Sequence, residues 1–331
     1  MFRSLNVFIQ KATHRVLLLG YSFIFICSCS KQIQQSDTKQ WSNDLDLETG
    51  QGNENRIKNL IKGGAYVNQR EKDGRTLLHL AAEKGYLDCI STLIKAGADV
   101  NQKDNDDCTF LYHRPSLVRL KTKNGFTPLH LAVENNHPDC VAYLIEKGAN
   151  INQKDRYGQI PLHLAAEKGY LDCVIILMDH GSNANQLDNN NWAPLHLAAE
   201  NSHPDCVQYL IEKGANVNQL DDQKRNPLQL AMYSKSYITE NSERIKNFRC
   251  IEILTSLGTN LTQKSNYGNA PLHLAILNNY ADCVQHFIDK GVNVNQPNNA
   301  GQTPLDLAIR MKRLKCINML QANGGKESNA Q

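Results

Sequence analysis

Apolar residues in this chain come in short paired bursts separated by polar turns. Leu129, Leu131 and Ala132 make a narrow stripe on one short helix, opened by Thr127-Pro128, an N-cap residue followed by proline in the first turn. Asn135-Asn136 interrupts the pattern, and Pro138 opens a second helix with an apolar face of Val141, Leu144 and Ile145. Gly148 stops that helix, and the stretch that follows is rich in the Asn, Asp and Gly of turns. Neither predicted helix is long enough to stand alone in water, so each pair must bury its face on a neighbour.

The burst repeats. Pro-Leu-His-Leu-Ala recurs with its histidine at His130, His163, His196 and His273; His79 holds the slot in a variant, and Gln229 and Asp306 occupy it elsewhere. Successive spacings from His79 to Asp306 are 51, 33, 33, 33, 44 and 33, a period of 33 with insertions of 18 and 11 residues. Each unit continues to Cys-Val or Cys-Ile, an apolar stretch such as Tyr143-Leu144-Ile145, and a closing Gly-Ala-Asn-Ile-Asn or its like. This pattern resembles the ankyrin repeat over residues 42–325. The fold class expected is an all-α repeat solenoid of stacked helix-turn-helix units with β-hairpin or turn tips.

Eight units are expected. Leu45 and Leu47 align one period before Leu78 and Leu80, and Gly64 to Asn68 closes a degenerate first unit; the last has Asp306 for histidine, then Lys312, Arg313 and Lys315. Polar, degenerate ends are what solenoid caps require. Gly-Tyr-Leu-Asp-Cys at 85–89 recurs at 169–173, and His-Pro-Asp-Cys at 137–140 recurs at 203–206, so units alternate as pairs.

The N-terminus is different in kind. Val16–Cys27 is one apolar run behind Arg3, Lys11 and Arg15. It rises about 18 Å as a helix, short of a hydrocarbon core of roughly 30 Å, which fits the core of a signal peptide. Ile26-Cys27-Ser28-Cys29 resembles a bacterial lipobox, which implies Cys29 as the lipidated first residue of the mature chain. The organisation expected is a signal peptide over 1–28, a lipidated cysteine and polar tether over 29–41, the array over 42–325 and a tail over 326–331. Localisation follows as exported, membrane-anchored and at a bacterial envelope.

Charge narrows the partner. The net charge is +3 from 36 basic and 33 acidic residues, and the three bases before Cys29 account for the excess. A neutral body lacks the basic face that phosphate-driven nucleic-acid binding needs. Hydrophobic residues at 41% suffice for a core, and only one apolar run argues against a polytopic membrane protein.

Ten cysteines and eleven histidines raise redox and metal chemistry. Seven cysteines (Cys89, Cys140, Cys173, Cys206, Cys250, Cys283 and Cys316) occupy one repeat slot. Stacked helices lie about 8–10 Å apart, beyond the roughly 4.4–6.8 Å Cα span of a disulfide, so free buried thiols are expected. The aligned histidines lack zinc-ligand spacing; the resemblance implies that they hydrogen-bond between units. Asp104 to Asp107 lacks the glycine and glutamate of a calcium loop and reads as a solvated turn. Asn260-Leu261-Thr262 matches a glycosylation sequon, discounted in a bacterial setting. With no catalytic motif present, no enzyme, metal or cofactor is expected.

The resemblance implies protein binding through the tips and the face of the first helices. Tip residues flanking the glycine slot are Arg75, Phe126, Tyr157, Gln159, Trp192, Arg225, Tyr267 and Asn269. Their aromatics and arginines are the types that dominate interface energetics. The 18-residue insertion holds Phe110, Tyr112, Arg114 and Arg119, and apolar and basic residues alternate from Leu117 to Lys121. Two expectations stay open for it, a finger gripping an acidic or apolar partner and a decayed repeat folded back on the array. The 11-residue insertion, within Tyr233–Asn247, is expected to lengthen a helix pair or its loop. The function expected is non-enzymatic protein binding, with a structural spacer, a regulatory subunit of a separate enzyme and a host-directed effector as alternatives.

Overall fold

The computed structural model describes residues 50–64, 66–71, 73–105, 125–233 and 241–328. Cys29, the proposed signal and tether, Leu45 and Leu47, and the insertion residues Phe110, Tyr112, Arg114 and Arg119 lie outside them. Each unit places a leading and a trailing helix in succession, for example Pro161–Lys168 and Leu171–Asp179, or Pro194–Glu200 and Pro204–Glu212. Leading helices stack on the leading helices before and after them, and trailing helices follow suit, giving the expected solenoid. Among the described residues there is no strand, so the tips are turns. None of the helices among them is long and apolar enough to cross a membrane.

The core is the row of aligned apolar slots. Leu129, Leu162, Leu195, Leu228 and Leu272 are all essentially inaccessible, as are Val141, Val174, Val207 and Val284 from the trailing helices. The first unit supplies the helix Gly50–Lys62, whose Ile57 is buried and which packs on the trailing helix Leu87–Lys95. The 11-residue insertion changes both helices of its unit. The leading helix shrinks to Pro227–Ala231, and the trailing helix Asn241–Ser256 grows to 16 residues, against nine in the units on either side.

Helix starts depend on the histidine slot more than on the N-cap residue. Thr76 and Thr127 offer a hydroxyl, but Ile160, Ala193 and Ala270 stand at the same position with no oxygen to give. What is common is the reverse bond: the N-cap amide donates to the ring Nδ1 three residues on, at 3.2 Å for Ile160 to His163 and 3.0 Å for Ala193 to His196. Gln229 and Asp306 supply the same acceptor, Oε1 for Asn226 N–H at 3.0 Å and Oδ2 for Thr303 N–H at 2.7 Å. An accepting Nδ1 leaves the proton on Nε2, which donates to the next unit: His79 to the Phe126 carbonyl, His163 to Trp192 and His196 to Gln219, each at 3.1 Å. For His130 and His273 the carbonyls of Gln159 and Gln302 face the ring, but Nε2 closes no bond of normal geometry. Burial holds these neutral imidazoles well below the usual histidine range, at about 3 for His130 and about 4 for His79, His163, His196 and His273.

All seven repeat cysteines are buried and unbridged. Desolvation pushes the thiols of Cys89, Cys140 and Cys173 up to about 11, and those of Cys206 and Cys250 up to about 12. The thiolate is the nucleophile, so these seven are expected to stay silent to alkylation in the native protein. Peptide mass mapping should show them all labelled once denaturant is added without reductant. A neighbouring pair that labels only after reduction contradicts this.

Alternation in the sequence has a physical cause. Gly85 and Gly169 follow their leading helices with φ of +74° and +72°, and the imidazoles of His137 and His203 in the next units lie where a Cβ would sit. Each ring then reaches back, His137 Nε2 to the Glu83 carbonyl at 3.0 Å and His203 Nε2 to Glu167 at 2.9 Å. The pairs are thus glycine and histidine halves of one junction.

Candidate interaction surface

Three successive tip turns are each built around one aspartate, while the tip of Tyr267, with Ser265 in that slot, is closed by main-chain bonds. Asp155 Oδ1 accepts from Tyr157 N–H and Gln159 N–H, both at 2.8 Å; Asp188 and Asp221 do the same in the following two units. The turn closes where Asp155 N–H donates to the Gln159 carbonyl at 2.9 Å. Successive tips are stitched by the main chain, Asn105 N–H to Asp73 O and Asn189 N–H to Tyr157 O, both at 2.9 Å. Side-chain bridges reinforce them further back: Asn185 Nδ2 donates to Gly214 O at 3.0 Å while its Oδ1 accepts Asn216 N–H at 2.7 Å.

This geometry divides the expected tip residues into two positions with opposite fates. The residue before the glycine slot points out, and Tyr157 and Tyr267 are 45% and 70% exposed. The residue after it has its amide and carbonyl in the turn and its side chain folded toward the leading helices. Phe126 is therefore only 5% exposed and stacks on His130 with ring centroids 5.2 Å apart; the expectation that it is an exposed contact is corrected. Arg75 is likewise drawn in, with Nη1 2.6 Å from Glu83 Oε2. Trp192 is half-buried, stacked on His196, and lends its carbonyl to His163. Gln159 and Asn269 sit half-buried in the same position.

Asp104 is also corrected. It is a buried cap of its turn, accepting Phe126 N–H at 2.7 Å, and burial pushes its carboxyl up to about 6. Asp155 is pushed up to about 6 for the same reason, and its Oδ2 is buried without a hydrogen-bond partner. The cause lies one unit earlier. Arg75 approaches Asp104 and Gln159 approaches Asp188, whereas Phe126, with no polar group, precedes Asp155.

Arg225 organises the densest cluster. Its Nη2 is 2.7 Å from Asp221 Oδ2, and its guanidinium lies 5.7 Å from the Trp192 ring centroid and 5.6 Å from that of Tyr233. Such stacked cations are each worth about 0.5–1 kcal/mol at exposed sites. Tyr233, 40% exposed, went unnoticed as a contact residue in the sequence, though a signal existed. It takes the leading-helix position held by Glu83, Glu134, Glu167 and Glu200 in earlier units. Tyr157, half sandwiched by Arg156 at 5.1 Å, lies on a separate tip.

The stacked two-helix units, the tip turns and this aromatic surface define a repeat solenoid of the class that presents a continuous face to other proteins. The chain belongs to the ankyrin repeat family. The family profile described as ankyrin repeats (3 copies) matches residues 105–188, 162–241 and 241–331, and the single ankyrin repeat profile matches 73–105. Among solved structures it is similar to the crystal structure of the human ASB11 ankyrin repeat domain, at 27% identity and a TM-score of 0.59, over 76% of this chain and 99% of that one. No curated protein matches the chain. Ankyrin repeats are interaction modules, and domains of this family are typically non-enzymatic.

Proposed function

We propose that this chain is an exported, lipid-anchored ankyrin-repeat protein that holds another protein at a bacterial envelope. The observation that carries the binding half is the Trp192–Arg225–Tyr233 cluster with the exposed Tyr157 and Tyr267. Large rings held by a cation on a rigid scaffold lose little freedom on docking, which is what interface anchors need. The anchoring half is supported by Ile26, Ser28 and Cys29 behind the apolar run, since a diacylated cysteine supplies two chains where one gives only marginal binding.

Photo-crosslinking from position 267 of the full chain in its native cell tests both halves. Replacing Tyr157, Tyr233 and Tyr267 together by Ala should weaken the captured partner by about 2 kcal/mol or more per anchor, against about 1–2 kcal/mol of folding stability from the two lost cation–ring contacts. Cys29→Ala should abolish fatty-acid labelling and move the crosslink out of the membrane fraction, and Cys27→Ala should change neither. Unchanged partner affinity in the triple variant defeats the binding half. Labelling retained in Cys29→Ala defeats the anchor.

A further inference from the structure

Residues four before and four after the histidine slot lie side by side, and two internal arginines show what this meeting place holds. Arg75 Nη1 lies 2.6 Å from Glu83 Oε2 of its own unit, and its Nε lies 3.9 Å from Asp104 Oδ2, the turn aspartate of the next. Arg225, four before Gln229, sits 5.6 Å from the ring of Tyr233, four after it, and 5.7 Å from the Trp192 ring of the preceding unit. The first arrangement sets a guanidinium between two carboxylates, and the second sets one against two rings.

The unit of His130 repeats the first arrangement without its cation. Glu134 stands in the place of Glu83 and Asp155 in that of Asp104, but Phe126 replaces Arg75. Glu134 is half-buried and makes no ion pair among the described residues. Asp155 is 7% exposed, and its Oδ2 is buried without a hydrogen-bond partner. The equivalent oxygens all meet the residue four before the slot: Asp104 Oδ2 meets Arg75, Asp188 Oδ2 accepts from Gln159 Nε2 at 3.4 Å, and Asp221 Oδ2 lies 2.7 Å from Arg225 Nη2. Asp155 Oδ2 is therefore aimed at the same row, where Phe126 has no polar hydrogen to give. Lys103, whose charge also acts on Asp155, turns its Nζ to the Lys154 carbonyl at 2.7 Å.

The next two units continue the row with Glu167 and Glu200, and set Gln159 and Trp192 where Arg75 stands in the earlier one. Across these three units, the positions four before, four after and five after the slot hold three acids and one base, Lys168. In a chain whose body is balanced, this makes the face a local acidic strip.

We infer that the face over the units of His130, His163 and His196 binds an extended, arginine-bearing segment of the partner protein, with one guanidinium entering beside Glu134 and Asp155 as Arg75 does beside Glu83 and Asp104. The occupant is cationic because the strip is acidic. It carries arginine because the planar guanidinium serves carboxylates and rings alike, and this chain's own arginines take both positions. It is extended because the carboxylates recur once per unit, at a helix-stacking distance of about 8–10 Å, which every third residue of an extended chain spans at about 3.3 Å each. This inference rests on the binding function proposed above and names the chemistry of the partner.

The test uses the full chain and two short synthetic peptides, one repeating Arg-Gly-Ser and the other Glu-Gly-Ser. Fluorescence anisotropy should show the arginine peptide binding with a salt-dependent affinity and the glutamate peptide not. Glu134→Gln with Glu167→Gln and Glu200→Gln should weaken the arginine peptide by about tenfold or more. Phe126→Arg supplies the missing cation from within and should weaken it as well; where that variant does not fold, Glu134→Gln alone makes the same test. Equal binding of the two peptides, or indifference to the triple Gln change, overturns the inference. So does arginine-peptide binding that appears only once residues 106–124 are deleted, which would make that stretch of the same chain the occupant. Self-association of the full chain that is lost in the triple Gln variant overturns it too. If replacing the three exposed tyrosines releases the natural partner while the triple Gln change does not, this inference falls and the proposed function stands.

Discussion

Between pH 7 and pH 5 the urea midpoint of the array falls steeply, and unfolding near pH 5 takes up about three protons. The five slot histidines have folded values of about 3 or 4, against about 6.5 in the unfolded chain. Well above pH 6.5 both states are neutral and these groups contribute nothing to the pH dependence. Below it the unfolded chain binds protons that the folded one refuses, so stability falls with pH until the folded values are reached. Asp104 and Asp155 act oppositely: with folded values of about 6, they take protons in the native state first and gain stability as pH falls through that window. Five against two leaves about three protons, or about 4 kcal/mol per pH unit as an upper limit. His203 and His286, lowered by burial, add to the loss. Circular dichroism in urea at pH 7, 6 and 5 measures the slope. His163→Gln should reduce it by about one proton and keep the fold, because Gln229 already makes both bonds in its own unit. A slope unaltered by that change contradicts the assignment.

Gly85→Ala should cost about 2–5 kcal/mol, against about 1–2 kcal/mol for the same change at Gly97. Both have positive φ, +74° and +91°, so each methyl meets about 1–2 kcal/mol of left-handed strain. Around Gly97 there is open space, whereas a Cβ at Gly85 lands 2.5 Å from His137 Nδ1 and 2.7 Å from its Cε1. Overpacking of that kind adds about 1–3 kcal/mol. The double variant with His137→Ala should recover the steric part, giving a coupling of about 1–3 kcal/mol in a double-mutant cycle of denaturant unfolding. Additive single changes would mean that the junction yields by moving the helix.

The period of 33, the histidine slot and the cysteine slot were legible because each is a chemical requirement repeated in phase. An acceptor must serve the N-cap amide, and a small apolar group must fill the junction. Even the exceptions could be read that way once the slot's task was known: Gln229 and Asp306 are acceptors too. What the sequence hid was direction. Phe126, Arg75 and Tyr157 all flank a tip glycine, and nothing in their spelling says that one flank carries the turn's closing bonds and the other faces solvent. Only the Asp155-type turn decides it. Tyr233 lies away from the tips, just past the leading helix Pro227–Ala231, and its signal is a tyrosine where four earlier units repeat a glutamate. For Asp104 and Asp155, a cluster of acids next to a turn looks solvated until the backbone amides that require an acceptor are placed.

The glycine–imidazole junction also makes the array divisible only in certain places. Removing one period, residues 137–169, would set Tyr170 where His137 fills the space over Gly85 and press His203 against Asn136. Removing two periods, residues 137–202, leaves Gly85 facing His203 as Gly169 does now. A deletion of 66 residues within this stretch is therefore expected to keep the junction that a deletion of 33 breaks.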